Sequence, residues 1–181
     1  MAKLHKFANE LLEEAKHFLE KAGDSNDSEG EKAYLNGALM VGFAACEAHV
    51  NAMCDDFLTR DELTAHEKGL LSEKAVKLVN GVFEVQTTLQ MQRLEDKVEF
   101  LCRRFSVKPI DHNAPYWSKF KTAVRLRNEL THPKAGATPI GQSNVEGALG
   151  SIIEIINVMH LSLYSQKTPA YHRKLSSKLK F

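Results

Sequence analysis

The stretch Arg127-Asn128-Glu129-Leu130-Thr131-His132-Pro133 closes a segment of helical periodicity with a proline stop. Upstream of it, Trp117, Phe120, Val124, Arg127 and Thr131 recur three and four residues apart, so they share one helix face. That places Arg127 on the inward stripe, where a guanidinium is costly unless it is paired or lines a polar cleft. Asn128 sets an amide beside it. Pro133 disfavours helical geometry at His132, which predicts that the imidazole leaves the helix end. Residues five apart on an ideal helix point about 140° away from each other. The break at His132 is what would bring Arg127 and His132 round to one site.

A cation and an imidazole are the minimum equipment for cleaving a phosphodiester without a metal. Histidine moves protons near neutral pH. Arginine holds a phosphoryl group in a fork and stabilises charge in the transition state. A plainer account fits the same residues: an Arg near a helix C-terminus suits the dipole, and a His before Pro is an ordinary stop.

Arg127, Asn128 and His132, in the pattern Arg-Asn-x-x-x-His at the end of a helical segment, resemble the signature of the HEPN domain family. The resemblance implies a helical bundle, and in many members a metal-independent RNase of toxin, defence or RNA-processing systems. It implies a site shared across a homodimer, with two copies of Arg127 and His132 facing one cleft. His132 would act as general base or acid around the ribose 2′-hydroxyl, leaving a 2′,3′-cyclic phosphate, and Arg127 would hold the scissile phosphate. Asn128 and Glu47 are supporting residues, and Lys134 is assigned to substrate binding. Many members silenced by nucleotidyltransferase antitoxins carry a tyrosine two residues after the histidine. Lys134 stands there instead, so that pairing is not implied; a different antitoxin or a defence-system partner remains open.

At 181 residues the chain is long enough to bury its own core. Its composition is 43% hydrophobic and 26% charged with a formal net charge of +1, which argues against a general nucleic-acid coat protein but not against a local basic patch. Cys46, Cys54 and Cys102 show no C-x-x-C spacing and read as buried, reduced thiols of a cytoplasmic protein. The N-terminal stretch, with Glu10, Glu13 and Glu14, lacks the apolar core of a secretory signal. Neither a zinc helix nor a nucleotide-binding glycine loop is present, so no metal or cofactor is called for. Histidines 5, 17, 49, 66, 112, 160 and 172 read for the most part as exposed or satisfied.

Leu4 to Leu19 carries apolar residues at helical spacing, and Gly23 to Asp27 breaks it. Ser28 followed by Glu31 reads as a capping box for a second helix. From Tyr34 to Cys54 that helix has one formally charged residue, Glu47. A run this apolar invites a transmembrane reading, but Asn36, Glu47, His49 and Asn51 favour a helix at the centre of a bundle. Glu47 needs a partner; Arg127, by a charge-assisted fork, and a nearby Lys or the edge of the apolar face are the alternatives.

Leu63 to Val82 reads as a third helix with Val76, Leu78 and Val79 inward, beginning near Thr59 and Glu62. Asn80-Gly81 breaks it, and Val82 to Val85 is either a short extended piece or a helix end. Helical spacing resumes from Met91 to Phe105, Pro115 suits the first turn of the motif helix, and Asn144 to Tyr164 is the last long helix. The fold expected is an all-α bundle of five or six helices over residues 1–165, with a basic tail over 166–181. The tail is read as a frayed, solvated terminus or an arm that tracks an RNA backbone. The function expected is a metal-independent, homodimeric endoribonuclease with RNA as partner and no membrane; the alternative is a non-catalytic HEPN-like binding module.

Overall fold

Asp27 sets the start of the longest helix. In the computed structural model, which describes residues 2–133, 140–168 and 172–179, its carboxylate accepts the backbone N–H groups of Glu29 and Gly30 and opens α2 (Ser28–Leu58). The N-cap expected at Ser28, with Glu31 completing a box, is therefore displaced by one residue to Asp27. Asp27 is the stronger acceptor, and Ser28 becomes the first helical position.

Before it runs α1 (Ala2–Gly23); near the other end lies α6 (Gln142–Tyr164). By length and composition α2 and α6 are both long and apolar enough to cross a membrane. Within the fold they are core helices. Leu39, Phe43, Cys46, Val50 and Met53 of α2 are buried with Leu149, Ile152, Ile156 and Met159 of α6 in one cluster. Gly42 marks their close approach: a Cβ there would sit 2.3 Å from Leu149 Cδ2.

The third helix is where expectation and structure part. Its capping box is Thr64 with Glu67, and α3 spans only Ala65–Ser72. The chain then turns at Glu73, φ 52°, into β1 (Lys74–Val79) and β2 (Val82–Leu89), an antiparallel hairpin. Asn80 and Gly81 take φ of 49° and 84°, as a two-residue type I′ turn requires at both positions. The β-branched residues Val76, Val79, Val82 and Val85 favour a pleated surface over a helix. The fold is thus mainly helical, as expected of a bundle, with one hairpin that the all-α reading did not include. Six helices stand among the described residues.

The remaining helices are α4 (Leu94–Phe105) and α5 (Pro115–Thr131), the latter with Pro at its first turn as expected. The segment after α6 corrects the frayed-tail reading. Arg173 Nη2 lies 2.7 Å from Glu13 Oε1, and the backbone N–H groups of Ser177 and Lys178 donate to Glu20 and Glu13, each at 2.8 Å. Residues 172–179 dock along α1, where the buried Glu13 carboxylate needs donors and the exposed Glu20 accepts one more. Beneath them Lys16, itself buried, pairs with Glu13 at 3.2 Å.

Candidate functional site

The inward face of α5 carries Trp117, Phe120 and Val124 into the core. Arg127, one turn further on, reaches α2. Its Nη2 donates to Glu47 Oε1 at 2.8 Å, and its guanidinium carbon lies 5.3 Å from the centre of the Phe43 ring. Glu47 and Phe43 are four residues apart on α2, so one helix face supplies both the carboxylate and the aromatic platform. The Arg127 side chain is 25% exposed and that of Glu47 48%. Of the two partners considered for Glu47, the structure selects Arg127, at the edge of the core rather than deep inside it. Arg127 Nε has no partner among the described residues.

These groups open into a cleft of about 460 Å³ that Arg127, Asn128, Glu47, Asn51 and Lys97 line. Lys97 was not singled out from the sequence. Its side chain is 4% exposed, and its Nζ donates to Asn51 Oδ1 and, at 3.0 Å, to Glu73 Oε1. The signal was present: Lys97 lies three residues after Leu94 and four before Leu101, on the buried face of α4. The cleft is close to balanced in charge. Arg127, Lys97 and Arg93 face Glu47, Glu73 and Glu95.

His132 caps α5 at φ −132° and ψ 66°, outside helical geometry, as Pro133 dictates. Its backbone N–H donates to Asn128 O at 2.9 Å, and its side chain is exposed. Asn128 is exposed too. The structure therefore brings Arg127, Asn128 and Glu47 together at the cleft, whereas His132 is not among the residues that line it. Lys134 lies outside the described residues. A larger hollow, about 710 Å³, separates a different face of α5 from α6 and includes neither Arg127 nor His132.

The three cysteines are buried and free. Burial, then the Glu47 carboxylate, pushes the Cys46 thiol far up. Burial also pushes Cys54 and Cys102 up to about 12. Two histidines depart from the satisfied state expected of them. Among the described residues, buried His49 has no partner for either ring nitrogen, and His160 Nε2 has none either. Their rings lie 6.1 Å apart, and His160 lies 6.4 Å from His5. Asp56 anchors the outer end of this row: His5 Nε2 lies 3.0 Å from its carboxylate, and the Tyr164 hydroxyl donates to it at 2.5 Å. Burial, with the neighbouring His160 and His5, pulls His49 down to about 3. Among the described residues no group of three or more His, Cys, Asp or Glu is arranged to hold a metal ion.

No protein-family model, no curated protein and no solved structure matches this chain.

Proposed function

We propose that this chain is a metal-independent endoribonuclease of HEPN type, working as a homodimer in a defence, toxin or RNA-processing role in the cytoplasm. The observation that carries the reading is the setting of Arg127. An arginine on the inward face of the motif helix is held by Glu47 and Phe43 at the mouth of an open cleft, with the Asn128 amide beside it. A guanidinium fixed in this way keeps its outer N–H groups for a phosphate oxygen, with little ordering left to do on binding. His132 would take the proton of a ribose 2′-hydroxyl. The 2′-oxygen then attacks the adjacent phosphorus, the bond to the 5′-oxygen breaks, and that oxygen takes up a proton. The products are a 2′,3′-cyclic phosphate and a 5′-hydroxyl end.

One copy of the chain does not place His132 at the cleft of Arg127, which is why the reading requires a second copy to complete the site. Purified protein incubated with mixed RNA in EDTA tests the proposal. Cleavage with cyclic-phosphate ends is expected; intact RNA under all salt and pH conditions would sink it.

A specific observation favours the runner-up, a non-catalytic HEPN-like binding module. The cleft cations are already matched by carboxylates, and a phosphate would compete with Glu47 for Arg127. In that reading the Arg127–Glu47 pair ties α5 to α2, and no RNA is cut.

A further inference from the structure

Five of the exposed large apolar side chains, Leu78, Val82, Phe83, Leu89 and Met91, fall within the hairpin or just beyond it. By the register, Leu78, Phe83 and Leu89 share one face of the hairpin and Val82 lies on the other; exposed apolar side chains gathered on one face mark an interaction surface. The hairpin is a two-stranded sheet with an open edge on each side, and the edges differ. β1 carries Lys74 and Lys77, the residues that keep an edge from pairing. β2 reads Val-Phe-Glu-Val-Gln-Thr-Thr-Leu, with one charge, no lysine, no proline and strong β-propensity. The register between the strands is broken between Lys74 and Val76, so Gln86, Thr87 and Thr88 have no partner residue on β1.

We propose that the β2 edge pairs antiparallel with the β2 edge of a second copy of this chain, on a two-fold axis through Gln86. Symmetry across two antiparallel strands sets the axis residue against itself and keeps opposite residues on one face. About Gln86, Phe83 lies opposite Leu89, Glu84 opposite Thr88, and Val85 opposite Thr87. Phe83 and Leu89 are 53% and 65% exposed in the single chain, and the pairing covers each with the other. No like charges meet. Self-pairing of β1 would instead bring four lysines, two from each copy, into the joined sheet. The hairpin also grows out of the cleft: Glu73 precedes β1, Met91 and Gln92 follow β2, and all three line it. Pairing at β2 therefore links two Arg127 clefts through one four-stranded sheet. The inference deepens the dimer reading above by naming its surface.

The full chain is to be examined by light scattering at tens of micromolar, with RNA cleavage followed in parallel. A dimer is expected for the wild type. Leu89→Glu sets a carboxylate against the apolar Phe83 ring of the other copy, while Lys74, its register partner in β1, can neutralise it in the single chain. It should give monomer with an unchanged melting temperature. Val107→Lys, at a loop residue 98% exposed, should leave the dimer intact. Gln86→Cys should join two copies rapidly with a short bismaleimide, and Val82→Cys, at the end of the strand, should not; the native cysteines are all buried. A monomeric wild type overturns both this pairing and the composite site, and leaves the edge to a different chain. A dimer that survives Leu89→Glu, or equal cross-linking of the two cysteine variants, overturns the β2 surface alone. A dimer paired at β2 that cuts no RNA leaves the surface standing and removes the nuclease.

Discussion

Arg127 and Glu47, 80 residues apart in the chain, meet at 2.8 Å and fasten the motif helix α5 to the central helix α2. Breaking a fully buried pair from one side costs about 3–5 kcal/mol, and an exposed pair contributes well under about 1 kcal/mol. With Glu47 half exposed, Glu47→Ala is expected to fall between these, at about 1–2 kcal/mol, lowering the melting temperature by several degrees. Arg127→Ala should cost a similar amount, and the double variant little more than either single one. Fully additive losses would show that the two side chains do not act as a pair.

The hairpin turn gives a second test. Gly81 stands at φ 84° with nothing within 4 Å of where a Cβ would be. Gly81→Ala therefore meets backbone strain and no clash, and should cost about 1–2 kcal/mol. An equally stable variant would mean that the turn is not of the I′ type.

How far this fold and site could be read beforehand depends on whether the signal is local. The pairing of Glu47 with Arg127 was legible because each is a charge on an otherwise apolar stripe, and such residues need partners. The central place of α2 was legible for the same reason, from the scarcity of charge between Tyr34 and Cys54. The hairpin was misread because Val76, Leu78 and Val79 suit either period, although Asn80-Gly81 between apolar runs is a strong hairpin signal. His49 and His160 gave no sign of burial, since a lone imidazole is compatible with either environment. The partnership of Lys97 with Glu73 and Asn51 is tertiary: three elements supply it, and spacing reveals at most that Lys97 faces inward.

The docked C-terminal segment makes a stability prediction. Glu13 is buried and draws donors from Lys16, Arg173 and the Lys178 backbone. Burial pushes its carboxyl up, but these donors together hold it below the usual range. Removing residues from 172 onward strips two of them, and should destabilise the chain by about 1–3 kcal/mol. A freely moving tail would be lost without any change in the thermal midpoint.

His49 sets the direction of a pH effect. Its folded pKa is depressed to about 3 from an ordinary 6.5, and burial, with nearby His5, also lowers that of His160. The unfolded chain therefore binds protons first as the pH falls. For His49, stability is complete above about 6.5 and declines as the pH drops toward 3, at up to about 1.4 kcal/mol per pH unit; His160 acts in the same direction. Between pH 6.5 and 5 the decline lies above most of the carboxylate range, so Glu13 adds little to it. His49→Leu, which removes the titrating group and its orphaned nitrogens, should flatten the curve in that window. Denaturant midpoints measured at several pH values check this; an unchanged slope in the variant would place the titration elsewhere.

The nuclease reading turns on two substitutions whose structural consequences differ. His132 is exposed at the C-cap of α5, so His132→Ala should melt as the wild type does while cutting RNA about 10²–10⁴-fold more slowly. Arg127→Ala should be at least as slow, through lost stabilisation of the phosphate charge, and less stable as well, because the Glu47 contact goes with it. The two losses can be separated by Glu47→Ala, which loosens Arg127 without removing it. That variant should share the stability loss of Arg127→Ala but retain more of the activity. Mixing the His132→Ala and Arg127→Ala chains tests whether the site is shared. If a cleft takes Arg127 from one copy and His132 from the other, the mixed dimer has one intact site, and activity should return to a fraction of the wild-type rate. Wild-type cleavage in EDTA with no rescue on mixing would place both groups in one chain, against the composite site. His132→Ala that cuts as fast as the wild type would remove the histidine from the chemistry altogether.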